Sequence, residues 1–253
     1  TPIYRPVNTQ DLTIIGVAHS FKKRSVKDVD TKLEEFVNQL LGGIHIILEG
    51  TKASNEVVVL PHKIHYAAIA MKHFKGAKHF LDENSNFSEI ASRYGLRRDL
   101  LGLYTALRVL ERVINASEGN IGSYNQLLSS ILLDFKDNYP GLCHINVEES
   151  LDRFKKLWKV FPESSELFFG IGQIFAWYSA ELREHEILYP KTEELVSKLA
   201  GKKIEVVGAY HTDGIERYLK GEPVEAPKEW GRFVENLEPQ QRDFIRLIEK
   251  KIF

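Results

Sequence analysis

Short apolar runs alternate with longer amphipathic stretches over the first third of the chain. Leu12–Val17 and residues 44–48 are almost wholly apolar, which is typical of strands covered on both faces of a sheet. Between them, apolar residues recur at helical spacing from residue 29 to residue 41 and stop at a Gly-Gly pair. This succession predicts a βαβ unit, in which the two strands are parallel.

Helical patterns dominate the rest of the chain. A helix over about residues 61–74 is predicted to lead into a short strand at residues 79–81, directly before Asp82. Residues 87–188 show helical patterns and no convincing strand. A helix beginning at Pro190 then precedes a further apolar strand at residues 204–207. Since a helix comes before this strand too, the strand can join the sheet in parallel.

These elements predict an α/β fold with a mixed, largely parallel central sheet flanked by helices and a helical insertion acting as a cap. We expect a single domain over residues 1–253, with its sheet core in residues 12–86 and 190–221. The cap is residues 87–188, and the first eleven residues form a lead-in. An amphipathic C-terminal helix at residues 239–252 would dock on the body or on a partner, so a homo-oligomer stays open.

Composition narrows the function classes. The chain has 253 residues, 43% of them hydrophobic, and a formal net charge of −1, so no nucleic-acid partner is expected. Cys143 is the single cysteine, which excludes an intrachain disulfide and leaves histidines and carboxylates as candidate metal ligands. The sequence has no apolar signal core and no apolar run long enough for a transmembrane segment, so we expect a cytoplasmic protein.

Two Gly-x-x-His motifs follow apolar strands near opposite ends of the chain. One runs from Gly16 to His19, and the other ends at His211. Glu49 and Asp82 follow two further predicted strands. Because the carboxyl ends of parallel strands meet at one edge of a sheet, where open α/β sheets bind ligands, we expect these polar side chains to converge there.

The order of these motifs, together with a helical Arg183-Glu184 pair and the run GAYHTDGI at residues 208–215, resembles the TraB/TIKI family. That family belongs to a broader group that also includes the erythromycin-esterase and haem-binding ChaN proteins. The resemblance covers about residues 12–82 and 183–215. It implies active-site roles for His19, Glu49 and His211, and it matches Arg183 to an arginine of the family's helical motif. TIKI members are described as metal-dependent proteases acting on Wnt ligands, so the resemblance implies peptidase-like chemistry.

The leading hypothesis is a metal-dependent hydrolase of an amide or ester bond in a peptide or small-molecule substrate. Two histidines and a carboxylate can hold Mn²⁺, Co²⁺ or Zn²⁺ and leave positions for water and substrate. In this hypothesis His19, Glu49 and His211 are the metal ligands. Asp82 is a fourth ligand or a general base, and Arg183 opposes the negative charge that develops in the reaction, so Glu49, Asp82 and Arg183 are the catalytic candidates.

Two other functions compete with this one, and whether the crevice is catalytic stays open. The same crevice could bind a signal peptide or a haem without doing chemistry, or it could act as a metal-free esterase with His19 as general base. Each residue also has a structural interpretation. A histidine at a strand end often caps a backbone carbonyl, a glutamate there often pairs with an arginine, and Arg183 could make pairs along a charged helix end.

Overall fold

The computed structural model describes residues 7–9, 11–17, 20–22, 45–50, 52, 63–65, 76–105, 107, 149, 152, 156 and 165–252. The chain divides into two compact units. The first unit contains Thr1–Glu83 and Glu184–Glu225, and the second contains Asn84–Arg183 and Ala226–Phe253. The sequence predicts a single domain over the whole chain, and this stays a prediction.

A five-stranded sheet forms the centre of the first unit, with strand order β1-β2-β7-β4-β6. Strand β1 is antiparallel to β2, whereas β2, β7, β4 and β6 are parallel neighbours. A separate antiparallel pair joins β3 to β5. The strands are Val7–Thr9, Leu12–Val17, Ser20–Lys22, His45–Leu48, Lys63–His65, Ala77–Phe80 and Lys203–Gly208, numbered β1 to β7. The predicted α/β class, with its mixed and largely parallel sheet, is confirmed.

Strand β7 is the most enclosed strand of this sheet. All six of its residues are buried, and its neighbours β2 and β4 pair with it in parallel on either side. Successive residues of a strand point to opposite faces, so burial of the whole strand means that both faces are covered. The core consists mainly of the apolar residues Leu12, Ile14, Ile15, Ile46, Ile47, Leu48, Ile204, Val206 and Val207. Lys203 and Glu205 are buried polar exceptions within the same strand.

The helices whose two ends are both described are α1 (Phe87–Arg93), α2 (Ser165–Arg183), α3 (Tyr189–Lys198), α4 (Thr212–Leu219), α5 (Trp230–Glu235) and α6 (Pro239–Ile252). A π-helix, Glu184–Leu188, lies between α2 and α3 in the chain. In the first unit, α4 contacts β1, β2 and α3, and the π-helix contacts α3 and α4. These helices therefore form the layer next to the carboxyl end of β7.

The described part of the second unit is mainly helical and has an aromatic core. Tyr104 and Tyr178 are buried with Trp230, whose ring centroid lies 5.2 Å from that of Tyr104 and 5.0 Å from that of Tyr178. Tyr104 Oη and Trp230 Nε1 donate hydrogen bonds to Glu249 Oε1, at 3.3 and 2.8 Å. Glu249 thus links α5 and α6 to this core. None of the helices described is both long enough and apolar enough to cross a bilayer.

Several sequence predictions differ from the structure in detail. The helix predicted over about residues 61–74 is wrong at its start, because β5 occupies Lys63–His65. These residues alternate polar and apolar, and pairing with β3 overrides the helical spacing. The predicted lead-in contains β1, and the helix predicted up to residue 188 changes to a π-helix at Glu184. The helix predicted over residues 29–41 and most of those predicted over residues 108–160 lie outside the described residues.

Candidate functional site

The parallel strands bring their carboxyl ends to one edge of the sheet. Glu49 directly follows β4, Asp82 lies two residues beyond β6, and His211 lies three residues beyond β7. The second Gly-x-x-His motif begins at the last residue of β7, which pairs with Val17 at the end of β2. His19 lies two residues beyond β2, outside the described residues.

A close approach of two backbones explains the glycine of the first motif. A Cβ atom at Gly16 would lie 2.8 Å from Thr212 Cγ2 and 3.0 Å from Ala209 Cα. A side chain at this position would therefore push away the turn that follows β7. Gly16 allows that turn, which leads to His211, to pass directly over the end of β2.

His211 is fixed by the backbone and by two carboxylates. Its backbone N–H donates to the carbonyl of Gly208 at 2.9 Å, and it is the residue immediately before α4. Only 3% of the residue is exposed. Its Nδ1 lies 2.6 Å from Glu184 Oε1, and its Nε2 lies 3.6 Å from Glu49 Oε1. With the ring neutral and the carboxylate of Glu184 accepting, this bond would place the hydrogen on Nδ1 and leave the lone pair on Nε2, which is the form that can bind a metal ion.

Glu49 is held by the strand beside it. The backbone N–H of Gly208 donates to Glu49 Oε2 at 2.7 Å, and the N–H of Glu49 donates to Val206 O at 3.1 Å. The residue is 6% exposed. Because one carboxylate oxygen is occupied by Gly208, the other oxygen is the one next to the His211 ring. Two of the three predicted metal ligands, Glu49 and His211, are therefore brought together.

Glu184 is a functional candidate that sequence reasoning did not select. It is the first residue of the π-helix, and its Oε2 accepts a hydrogen bond from Tyr189 Oη at 3.3 Å. The tyrosine hydroxyl in turn lies so near α4 that a Cβ at Gly214 would be 2.0 Å from it. Glu184 is thus held between Tyr189 and His211. Short π-helices occur often at functional sites, but the charged segment ELREHE gave no sign of one.

Glu205 is a second candidate that the sequence analysis passed over. It is fully buried in the middle of β7, where Thr192 Oγ1 donates to its Oε1 at 2.6 Å. Among the described residues, its Oε2 has no hydrogen-bond partner. Burial, together with the nearby charge of Glu49, raises the pKa of Glu205 to about 8, although Thr192 and His211 act in the opposite direction. The available signal was a single glutamate within the predicted apolar strand at residues 204–207, since buried glutamates are rare.

Asp82 and Arg183, two of the predicted catalytic residues, have different positions. Asp82 is buried, and its Oδ2 accepts a hydrogen bond from the backbone N–H of Gly50 at 2.6 Å. Gly50 has a φ of +94° and follows Glu49 directly, so Asp82 anchors the turn that carries Glu49. Arg183 is the half-buried last residue of α2 and belongs to the second unit. The catalytic roles of both residues stay predictions.

The donor set can be compared with what a metal ion requires. Within the described part of the chain, no three His, Cys, Asp or Glu side chains are grouped so as to hold a metal ion. The distance of 3.6 Å between His211 Nε2 and Glu49 Oε1 is close to the value of about 3.4 Å for two ligands of one tetrahedral Zn²⁺. These two residues fit as ligands, and the third predicted ligand, His19, lies outside the described residues.

Comparison with known proteins adds no relative from which a function could be transferred. No protein-family model, no curated protein and no solved structure matches this chain.

Proposed function

We propose that the first unit is a metal-dependent hydrolase of an amide or ester bond, with His211 and Glu49 as two of its metal ligands. The observation that carries this proposal is that the buried His211 ring lies between two carboxylates, with half-buried Glu184 at its Nδ1 and buried Glu49 at its Nε2. Metal-binding histidines commonly donate their second ring N–H to a carboxylate, which fixes the ring and makes it a better ligand. Glu184 is placed to do this for His211.

The side chains around the pair support the same role. The bond from Gly208 to Glu49 Oε2 leaves Oε1 as the oxygen beside His211, and Asp82 holds the neighbouring turn in place. His19 is the third ligand in this proposal. A divalent ion held by these groups would polarise a substrate carbonyl and lower the pKa of water toward neutrality.

The substrate class comes from the resemblance to the TraB/TIKI family, which favours a peptide over another amide or ester. A cytoplasmic location belongs to the same proposal. His211 and Glu49 are almost completely buried, which limits the access of water to the pair. Such exclusion of water strengthens the electrostatic effect of a bound ion on the substrate.

The test combines metal content with hydrolysis of a library of fluorogenic peptides and esters. Purified protein, stripped with chelator, is incubated with Mn²⁺, Co²⁺ or Zn²⁺, and bound metal is measured for wild type, His211→Ala, Glu49→Gln and Glu184→Gln. We expect His211→Ala and Glu49→Gln to lose the ion. Glu184→Gln should weaken binding by about 10–100-fold, which is the usual effect of removing the partner of a metal-binding histidine.

A matched control is Glu186→Gln, which changes a half-buried glutamate of the same π-helix. This variant should keep the wild-type metal affinity. Full metal occupancy in both His211→Ala and Glu49→Gln would contradict the proposal, provided that circular dichroism shows both variants to be folded.

Metal-free hydrolysis is a second candidate, favoured by the bond between His211 and Glu184. A carboxylate on one imidazole nitrogen also orients a histidine that acts as a general base through the other nitrogen. The two candidates differ in their response to chelator. Activity that persists in chelator and is lost in His211→Ala would favour the metal-free mechanism, whereas activity restored only by added metal would favour the first proposal.

A further inference from the structure

A second pair of nitrogen ligands lies on the neighbouring strands β4 and β6. His45 is the first residue of β4, and His79 is the third residue of the neighbouring strand β6. We propose that His45 and His79 form a binding site for a late first-row transition-metal ion, separate from the pair of Glu49 and His211. This site needs no part of the proposed hydrolase, because Glu49 follows the opposite end of β4.

The geometry of the two rings suits one ion. His45 Nδ1 and His79 Nε2 are 3.1 Å apart, and the ring centroids are 5.2 Å apart with the planes tilted by 49°. Two imidazole nitrogens bound to one tetrahedral Zn²⁺ at the usual bond lengths lie about 3.3 Å apart. The separation in the structure differs from this by a few tenths of an ångström, so small rotations of the side chains would suffice.

The strands hold the two histidines in this arrangement. In the parallel register, His45 pairs with Ala77 and Ile47 pairs with His79, so the two histidines lie diagonally on the same face of adjacent strands. A site built on strands that are already paired loses little conformational entropy when the ion binds. Both histidines are half-buried, which leaves them accessible to an ion from solvent.

The contact between the two ring nitrogens is compatible with a shared metal ion. A neutral imidazole offers one lone pair. The hydrogen that lies between His45 Nδ1 and His79 Nε2 belongs to one of the two rings, and that ring can carry it on its other nitrogen by tautomerisation, so both facing nitrogens become available to an ion. Lys203 pairs with His45 from β7, but its ammonium donates to the carbonyl of Gly201 at 2.8 Å.

The chemistry of the site selects a borderline ion. Imidazole suits Zn²⁺, Ni²⁺ and Cu²⁺, whereas Mg²⁺ and Ca²⁺ prefer oxygen ligands. Two protein ligands leave positions for water or a third group. Because β6 is at the edge of the sheet as described, an ion at this site would tie the edge strand to β4 and stabilise the folded unit.

Zn²⁺ titration of the full chain tests the proposal. With both proposals correct, wild-type protein binds two equivalents, His45→Asn and His79→Asn each lose one, and His211→Ala loses the other. The loss of one Zn²⁺ equivalent therefore shows which of the two proposed sites a variant has disrupted, and each proposal can be refuted without the other. Loss of a direct ligand should weaken Zn²⁺ binding at this site by more than about tenfold, because loss of a supporting partner already has an effect of that size. The matched control is His185→Asn, which changes a half-buried histidine of the π-helix and should leave both equivalents unchanged.

A second measurement uses only the wild-type protein, so it does not depend on the folding of any variant. Diethyl pyrocarbonate modifies accessible imidazoles, and mass spectrometry of peptides reports the rate at each histidine. Zn²⁺ should slow the modification of His45 and His79 but not that of His185. Equal rates at His45 and His79 with and without Zn²⁺, or unchanged Zn²⁺ affinity in folded His45→Asn and His79→Asn, would overturn the proposal.

Discussion

At the scale of single residues, Glu205 is the clearest case of a polar side chain that is unfavourable to bury. A carboxylic acid that is completely buried in β7 loses its hydration, and one hydrogen bond from Thr192 does not replace it. The charged form is therefore disfavoured, and the pKa of Glu205 rises to about 8. The raised pKa therefore favours the protonated, neutral form of this residue at pH 7.

This raised pKa predicts a pH dependence of stability. The usual pKa of a glutamate side chain is 4.5, so between pH 4.5 and about 8 the folded chain holds a proton that the unfolded chain has released. The free energy of unfolding should then decrease as the pH rises through this window, and the contribution of Glu205 should be complete only below it. Urea denaturation at several pH values in chelator measures the slope.

Glu205→Gln keeps the shape of the side chain and removes its titration. We expect this variant to show a flatter pH profile and to be more stable than wild type at pH 8 by up to about 4 kcal/mol, since the pKa rises from 4.5 to about 8 and each pKa unit corresponds to about 1.4 kcal/mol. Glu193→Gln, at an exposed position of α3, is the control and should keep the wild-type slope. Identical slopes in wild type and Glu205→Gln would refute this account of the residue.

At the scale of the elements, the contact between α4 and the start of α3 determines where Glu184 lies. Gly214 of α4 leaves room for the hydroxyl of Tyr189, which donates to Glu184, and the Tyr189 ring stacks on Tyr218 at a centroid distance of 5.1 Å. A methyl group at position 214 would overlap that hydroxyl. The two elements would have to separate, and the carboxylate that orients His211 would move with them.

Gly214→Ala therefore tests this contact. We expect a loss of about 1–3 kcal/mol in the free energy of unfolding, as is usual when an extra methyl group is forced into a packed interior. Adding Tyr189→Phe should restore part of that loss, because it removes the atom at 2.0 Å. Gly231→Ala is the matched control: it lies in α5 with nothing within 4 Å of its new Cβ, so it should be neutral or slightly stabilising. Equal stability of Gly214→Ala and wild type would contradict this description of the packing.

The elements also show what the sequence could predict. Strand β2 was predicted with its observed bounds, because a strand covered on both faces is apolar at every position and needs no longer-range information. The position of β7 between β2 and β4 depends on contacts between residues far apart in the chain, and no local pattern encodes it. The local pattern of Lys63–His65 predicts a helix, whereas the segment forms a strand because it pairs with β3, which is far from it in the chain.

The candidate site was predictable to a similar degree. Glu49 and His211 were selected because they follow apolar strands, and the sheet topology then accounts for their proximity. Glu184 and Glu205 were missed for different physical reasons. The π-helix that turns Glu184 toward His211 has no signature in a pattern of period 3.6, and Glu205 is stabilised in its strand by Thr192, which is distant in sequence.

At the scale of the whole molecule, all the groups that define the candidate site belong to one unit. Glu49, Glu184, Glu205 and His211 lie in the first unit, whereas the aromatic core around Trp230 belongs to the second. Changes in that core are therefore expected to affect the stability of the second unit before they affect the geometry around His211. The first unit by itself contains both proposed metal sites, one at each end of β4.

We propose above all that His211, oriented by Glu184, shares a metal ion with Glu49. Anomalous diffraction from crystals of the full chain soaked in Zn²⁺ or Mn²⁺ tests it most directly, because the method locates the ion without relying on activity. We predict an anomalous peak about 2.0–2.2 Å from both His211 Nε2 and Glu49 Oε1, with Glu184 still bonded to Nδ1. A fully soaked crystal with no peak between these two atoms, or with the imidazole turned away from Glu49, would contradict the account.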